Sequence, residues 1–355
     1  MLTGIPSPYR EETHARLSQK LGTNYHVFYC APIESNRLWK INHQSYSRTF
    51  LKRTAVRLKK ESIYFNFDII KALNAFNPDV VITAGFPPTM LLAFIWTKFR
   101  GRKHIPFTDA TIKSEEGLTF IHKWVRKLVY SFSDSFIGAS TKSMDLYLSY
   151  KVKAHKIFLS PLCINNCVYK EGASSKKRYE IMFSGQFIDR KMPLFFVEVV
   201  RLVNESHPCK VILIGSGELK DEIISRLNEL QIEFDYPGFI QQDQLPSTYS
   251  SARVLLFPTK NDPWGVVANE ACAVGVPVIT CENAGVAHEL IIHGQNGFIL
   301  PLDPRVWAEH IITLLTNITL YDRFSHNAVT SVQVYNYENA VDGIWQAIEY
   351  AHNQN

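Results

Sequence analysis

Short apolar runs bounded by turn residues alternate along this chain with longer stretches whose apolar positions recur at helical spacing. Residues 25–30, 80–84, 104–107, 135–137 and 156–159 read as buried strands. Helical spacing occupies 62–76, 88–99 and 118–132 between them. The later half repeats the pattern, with strands at 180–183, 211–214, 254–257 and 276–280 and helices at 265–275, 306–315 and 340–351. A short helix is expected from Asn283 to Glu289, and a turn at Asn296-Gly297. Strand follows helix without a hairpin signal, which predicts parallel sheets covered on both faces. The small, polar stretch 163–178, containing Gly172-Ala173-Ser174-Ser175, reads as a linker between a domain at 1–162 and a second at 179–335. Residues 336–355 then form a last helix whose Ile344, Trp345 and Ile348 are placed to pack back on the first domain.

Length and composition allow this division. A chain of 355 residues supports two cores, and 46% apolar with 20% charged residues is ordinary for a globular protein. The net charge of +5 is uneven, because eleven basic residues face three acidic ones in positions 1–60. That block is read either as a solvated face or, given the interleaved Leu38, Trp39, Tyr46, Phe50 and Leu51, as a patch for anionic lipid. No nucleic-acid partner is expected. Six cysteines without a C-x-x-C pair suit reduced, buried thiols, and no signal-peptide pattern precedes the first strand. The longest apolar run, 90–96, is too short to span a bilayer. The expectation is therefore a cytoplasmic protein, located at the inner face of the membrane if the basic block docks there. Twelve histidines lack metal-ligand spacing, and neither metal nor cofactor is expected.

Candidate chemistry concentrates in 254–301. A strand, a polar loop, a helix and a strand make a βαβ unit, whose ligands sit at the carboxyl ends of the strands. Asp262 in the loop and Glu270 in the helix have seven residues between them. A carboxylate accepts from two neighbouring hydroxyls, as a sugar or ribose offers. The helix start between these acids, at Gly265, Val266 and Val267, presents unpaired N–H groups suited to phosphate. Two solvated acids beside an ordinary helix is the plain alternative.

The run Asp262-Pro263-Trp264-Gly265-Val266-Val267-Ala268-Asn269-Glu270-Ala271-Cys272-Ala273-Val274-Gly275-Val276-Pro277-Val278-Ile279 resembles the signature of glycosyltransferase family 4, retaining nucleotide-sugar transferases of the GT-B fold. Asp262 and Glu270 fall on its two acids, Asp replacing the usual first Glu. The resemblance implies an α/β protein with two Rossmann-like, doubly wound domains facing a central cleft. It makes Lys191, Asp262 and Glu270 the catalytic candidates. Lys191 matches a diphosphate-binding lysine six residues after Gly185; Gln186 stands where the family has arginine, and Arg190 supplies part of that charge. Gly215 in Gly-Ser-Gly, the segment Tyr236-Pro237-Gly238-Phe239-Ile240 beside the base, and Trp264 to Val267 complete the donor site. Gly4, in the turn after a clipped first strand, and Asp109 are candidates for acceptor or sugar contacts. Ser7 reads as an N-cap with Pro8 following it; Ser140 reads as an N-cap or an acceptor contact.

The expected activity is retaining transfer of a sugar from a nucleotide diphosphate sugar to a glycan or lipid-linked acceptor hydroxyl, in bacterial-type polysaccharide, lipopolysaccharide or capsule assembly. The rivals are a nucleotide-sugar epimerase, a dehydrogenase and a non-catalytic membrane-docked scaffold.

Overall fold

The computed structural model describes residues 1–34, 37–41, 45–52, 55–58, 61–171 and 176–353. Two units emerge, Met1–Leu162 with Tyr337–Asn355, and Cys163–Asn336.

The first unit runs β1 (Leu2–Thr3), α1 (Pro8–Leu21), β2 (Val27–Tyr29), β3 (Arg48–Phe50), β4 (Ala55–Leu58), β5 (Glu61–Tyr64), α2 (Ile69–Phe76), β6 (Val80–Ala84), α3 (Pro88–Phe99), β7 (Lys103–Thr108), α4 (Phe120–Ser131), β8 (Phe136–Gly138), α5 (Thr141–Ser149) and β9 (Ile157–Leu159). Seven strands form a parallel sheet in the order β3-β2-β1-β6-β7-β8-β9. The chain leaves β1 toward β2 on one side and returns to β6 on the other. Such a reversal opens a crevice at the carboxyl ends of the two flanking strands.

The expected helix over 62–76 is corrected to a shorter one. Its first residues lie in β5, which pairs antiparallel with β4 as a hairpin. Tertiary contacts decide this: the buried Asn66 amide donates to the carbonyls of Cys30 (3.0 Å) and Lys52 (2.9 Å), holding the chain out of helix until Ile69. Ser7 precedes α1 and Pro8 opens it, but the Ser7 side chain makes no capping bond. Ser140 is an N-cap, accepting from the Ser143 N–H at 3.1 Å.

Arg53, Lys59 and Lys60 of the basic block lie outside the described residues. Other members are engaged within the unit: Arg48 with buried Glu11, Arg16 with Glu12, Arg37 with Glu34, and Lys20 over the Trp345 ring at 4.1 Å.

The second unit runs α6 (Asn166–Glu171), β10 (Tyr179–Ser184), α7 (Pro193–Ser206), β11 (Lys210–Ile214), α8 (Lys220–Glu229), β12 (Glu233–Gly238), α9 (Leu245–Ser250), β13 (Ala252–Phe257), α10 (Val266–Ala273), β14 (Val278–Thr280), β15 (Gly297–Ile299), α11 (Pro304–Thr316) and α12 (Ile318–Val332). Its six parallel strands take the order β12-β11-β10-β13-β14-β15. The central strands are apolar throughout because both faces are covered; Ile181, Met182, Val211, Leu213, Val254 and Leu255 are buried. Each such side chain contributes about 1.5–3 kcal/mol of burial free energy.

Two expectations need correction here, and one helix is new. The stretch read as a linker contains α6, whereas Gly172, Ala173, Ser174 and Ser175 lie outside the described residues. Residues 283–289 form successive turns rather than a helix, tied to neighbouring loops by Gly285 and Val286 N–H bonds to the carbonyls of Asp262 and Trp264. α12 had no sequence expectation; it buries Tyr321, Phe324, Ala328 and Val332 at helical spacing between polar residues.

The last helix, α13 (Tyr337–Asn353), belongs to the first unit. Gly343 lets it lie flat, since a Cβ there would stand 1.8 Å from the Leu159 carbonyl oxygen. Ser160 and Ser135 hydroxyls donate to the Ala340 and Ala347 carbonyls, each at 2.8 Å. Among the described residues no helix is long and apolar enough to cross a membrane.

Candidate functional site

In the second unit the strand order reverses between β10 and β13. β11 and β12 lie on one side of β10, and β13 lies on the other. The crevice therefore opens where two loops leave neighbouring strands, 184–191 after β10 and 258–265 after β13. The two loops are laced together. Arg190 carbonyl oxygen accepts from the Lys260 N–H (2.9 Å) and the Thr259 hydroxyl (3.1 Å), and Arg190 Nη1 donates to the Asn261 carbonyl at 2.6 Å.

Across this lacing Lys191 Nζ donates directly to Asp262 Oδ2. Arg190 Nη1 stands 3.9 Å from the same oxygen, with its side chain more exposed. The other Asp262 oxygen faces the Trp264 N–H at 3.3 Å. Asp262 is buried, and its backbone is held by the Asn283 carbonyl and the Gly285 N–H, at 3.1 and 2.8 Å. Two cations thus converge on one carboxylate. Gln186, half-buried one position after Gly185, adds no charge.

Glu270 sits on α10, buried with both oxygens occupied. Tyr169 of α6 donates at 3.0 Å and Tyr249 of α9 at 2.6 Å. Tyr249 also lies 2.7 Å from Ser184 Oγ at the end of β10. A phenol has one proton, so the serine hydroxyl donates to the phenol oxygen while the phenol donates to the carboxylate. Burial pushes the Glu270 carboxyl up to about 7, against both phenol donors, which pull it down. Tyr169, Tyr249 and Ser184 were not anticipated. Two of them approach Glu270 from far along the chain, and no local motif marks them.

The glycines divide into two kinds. A Cβ on Gly215 would stand 1.9 Å from the Gly185 carbonyl oxygen, and one on Gly217 would stand 2.4 Å from that of Phe187. Their smallness serves loop-to-loop packing, which accounts for Gly-Ser-Gly without a dinucleotide. Around Gly185 and Gly238, by contrast, the space a Cβ would take is open, with no atom within 4 Å, and the backbone there is accessible to a ligand. Phe239 beside Gly238 is exposed and Ile240 half-exposed.

Gly265 precedes α10 with φ +106, and a Cβ there would strike the Phe257 ring at 2.2 Å. The first N–H groups of the helix, including those of Val266 and Val267, have no intrahelical partner by construction. Trp264 requires correction as a donor-contacting side chain. Its indole is buried, donating to Asn269 Oδ1 at 2.8 Å and packing on Tyr335 at 5.1 Å.

In the first unit the reversal between β1 and β6 opens a cavity of about 340 Å³. Gly4 and Asp109, far apart in sequence, both line it, together with Arg10, Arg37, Trp39 and Gly85. Glu34 lines it as well, so it combines two arginines, two acids and aromatic rings, a polar lining of balanced charge. Among the described residues no group of three His, Cys, Asp or Glu could hold a metal ion.

Residues 169–330 match the family model for glycosyl transferases group 1. Over 163 residues the chain is 28% identical to an uncharacterized glycosyltransferase of Methanocaldococcus jannaschii, covering 45% of this chain and 42% of that protein. Over 274 residues it is 24% identical to an N-acetyl-D-galactosaminyltransferase of Campylobacter jejuni whose name specifies a PP-undecaprenol-linked glycan, covering 76% of this chain and 72% of that one. The chain thus spans about two fifths of the length of the first curated relatives it matches, 42% in each. Its backbone is similar to HepE of Anabaena, solved in complex with UDP and glucose, with a TM-score of 0.74, 14% identity, and 98% of this chain and 99% of that chain covered. Together with the two parallel-sheet α/β units, this likeness makes the fold GT-B.

Proposed function

We propose that this chain is a glycosyltransferase that moves a sugar from a nucleotide diphosphate sugar to an acceptor hydroxyl, with retention at the anomeric carbon. The observation that carries the reading is the convergence of Lys191 and Asp262 at the strand-order reversal, beside the open start of α10. Breaking the anomeric C–O bond loads negative charge on the departing diphosphate. Lys191, Arg190 and the N–H groups of Val266 and Val267 are the groups to receive it. Asp262, once its lysine turns to phosphate, is free to accept from sugar hydroxyls, and Glu270, whose two oxygens each already accept from one phenol, takes the ribose through the remaining lone pairs. Residues 4 and 109 mark the cavity for the acceptor. The family match and the relatives' names favour transfer over epimerisation. A lipid-linked glycan in polysaccharide assembly is the acceptor class, supported by the name of the Campylobacter jejuni relative.

The test pairs a thermal-shift panel of nucleotide sugars with donor turnover by wild type, Lys191→Ala and Glu270→Ala. At least one donor should raise the melting temperature, and turnover should vanish in both variants. Indifference of wild type to every donor would sink the reading. Retention is checked separately, by the anomeric configuration of the product in NMR.

A further inference from the structure

Helix α4 presents an apolar surface that the fold leaves uncovered. Phe120, Ile121, Trp124, Leu128 and Phe132, at or just beyond its ends and along its length, are all exposed, Phe120 to 81% and Trp124 to 55%. At 100° per residue these five project within an arc of about 120°, a continuous stripe rather than scattered positions. Lys123 and Lys127, both exposed, border one edge of it, and the helix carries no acidic residue. Arg126 points elsewhere, to buried Glu115 at 2.7 Å. The Lys98–Asp134 pair (2.8 Å) joins the far end of the stripe to the end of α3, where Phe99 is 88% exposed. An exposed acid, Glu116, lies in the groove at the start of the helix.

We propose that this face of α4 seats the protein on an anionic membrane surface. Aromatic and leucine side chains enter the headgroup boundary while the bordering lysines stay with lipid phosphates. The helix is only twelve residues long, so it lies in the interface and does not cross it. Charge argues against an antiparallel pairing with a second copy of the chain, because a two-fold axis across the helix would bring the like-charged lysine edges together. The basic block near the amino terminus is a weaker candidate, since several of its members are already paired within the unit. The proposal does not depend on glycosyl transfer, because it is read without donor or acceptor.

The full chain is sedimented with vesicles of phosphatidylcholine alone and with vesicles that also contain phosphatidylglycerol, at low and high salt. Binding is expected only to the anionic vesicles and should weaken as salt rises. Phe120→Ser with Trp124→Ser, and separately Lys123→Glu with Lys127→Glu, should each weaken it at least about tenfold, the lysine pair through roughly fivefold per charge near the surface. Thermal unfolding confirms that each variant is folded, and the lysine pair stands alone should the aromatic variant fail. Wild type that ignores anionic vesicles, variants that bind like wild type, or a wild-type dimer abolished by the aromatic substitutions without vesicle binding would each overturn the proposal.

Discussion

Lys191 and Asp262, separated by 71 positions in sequence, share one hydrogen bond between the loops that follow β10 and β13. The lysine expected to meet phosphate is therefore already satisfied by the acid expected to meet sugar. A diphosphate has to displace that acid, and in doing so it releases Asp262 for its own task.

This exchange separates binding from turnover. Asp262→Asn should leave the Lys191 ammonium less engaged, so a nucleoside diphosphate binds as well as before or up to about tenfold tighter. Transfer by the same variant should fall by about a hundredfold or more, the scale for losing one group that acts on the reacting sugar. Titration calorimetry beside steady-state rates checks both. Parallel losses would show that the acid does not compete with phosphate.

Gln186 offers a gain-of-function test. An arginine there would add a planar, permanently charged donor next to open Gly185, and Gln186→Arg should tighten nucleoside diphosphate binding about three- to tenfold. Unchanged affinity would place the diphosphate away from this loop.

Burial holds the Glu270 carboxyl at about 7, above its usual 4.5. The folded state therefore binds more protons than the unfolded state between those values, and stability falls as pH rises from about 4.5 through 7. The protonated group's contribution is complete below that window and gone above it. Glu270→Gln, which does not titrate, should lack this slope and gain on wild type by on the order of 3 kcal/mol from one end to the other. Urea unfolding at several pH values measures the difference. Parallel curves would mean that Tyr169 and Tyr249 keep the carboxylate ionised.

The glycines of the two donor loops should respond differently. Gly215→Ala forces a Cβ against the Gly185 carbonyl and should cost about 3 kcal/mol or more of stability. Gly185→Ala meets no atom within 4 Å, although its φ of +153 carries modest strain. That variant should fold and lose donor affinity instead. Chemical denaturation and donor titration on the pair distinguish a packing glycine from a binding one.

Much of the fold was legible because buried parallel strands announce themselves. Residues 254–257 and 211–214 have no polar interruption, and Pro88 and Phe99 bound their helix as the pattern implied. The β4–β5 hairpin was not legible, because Asn66 ends the extended segment through bonds to distant carbonyls. The helix expected at 283–289 fails for a related reason: its N–H groups are taken by the loop carrying Asp262 and Trp264. At the site, spacing and resemblance singled out the charged residues, and the structure brings Lys191 to Asp262. The hydroxyl shell around Glu270 was invisible, since Tyr169 lay in a stretch whose polarity suggested a linker. Trp264 was read as a donor contact from its place in the run that carries the resemblance, and that run gives no hint of which way its ring turns.

The first unit is broken in sequence and closed by α13, whose backbone receives the Ser135 and Ser160 hydroxyls. During synthesis the sheet of that unit emerges early yet waits for residues 337–353 to cover it, whereas the second unit is contiguous and complete by residue 336. The contiguous half can therefore close without the other's last helix, and trimming that helix should strip the earlier half of its cover while sparing the later one.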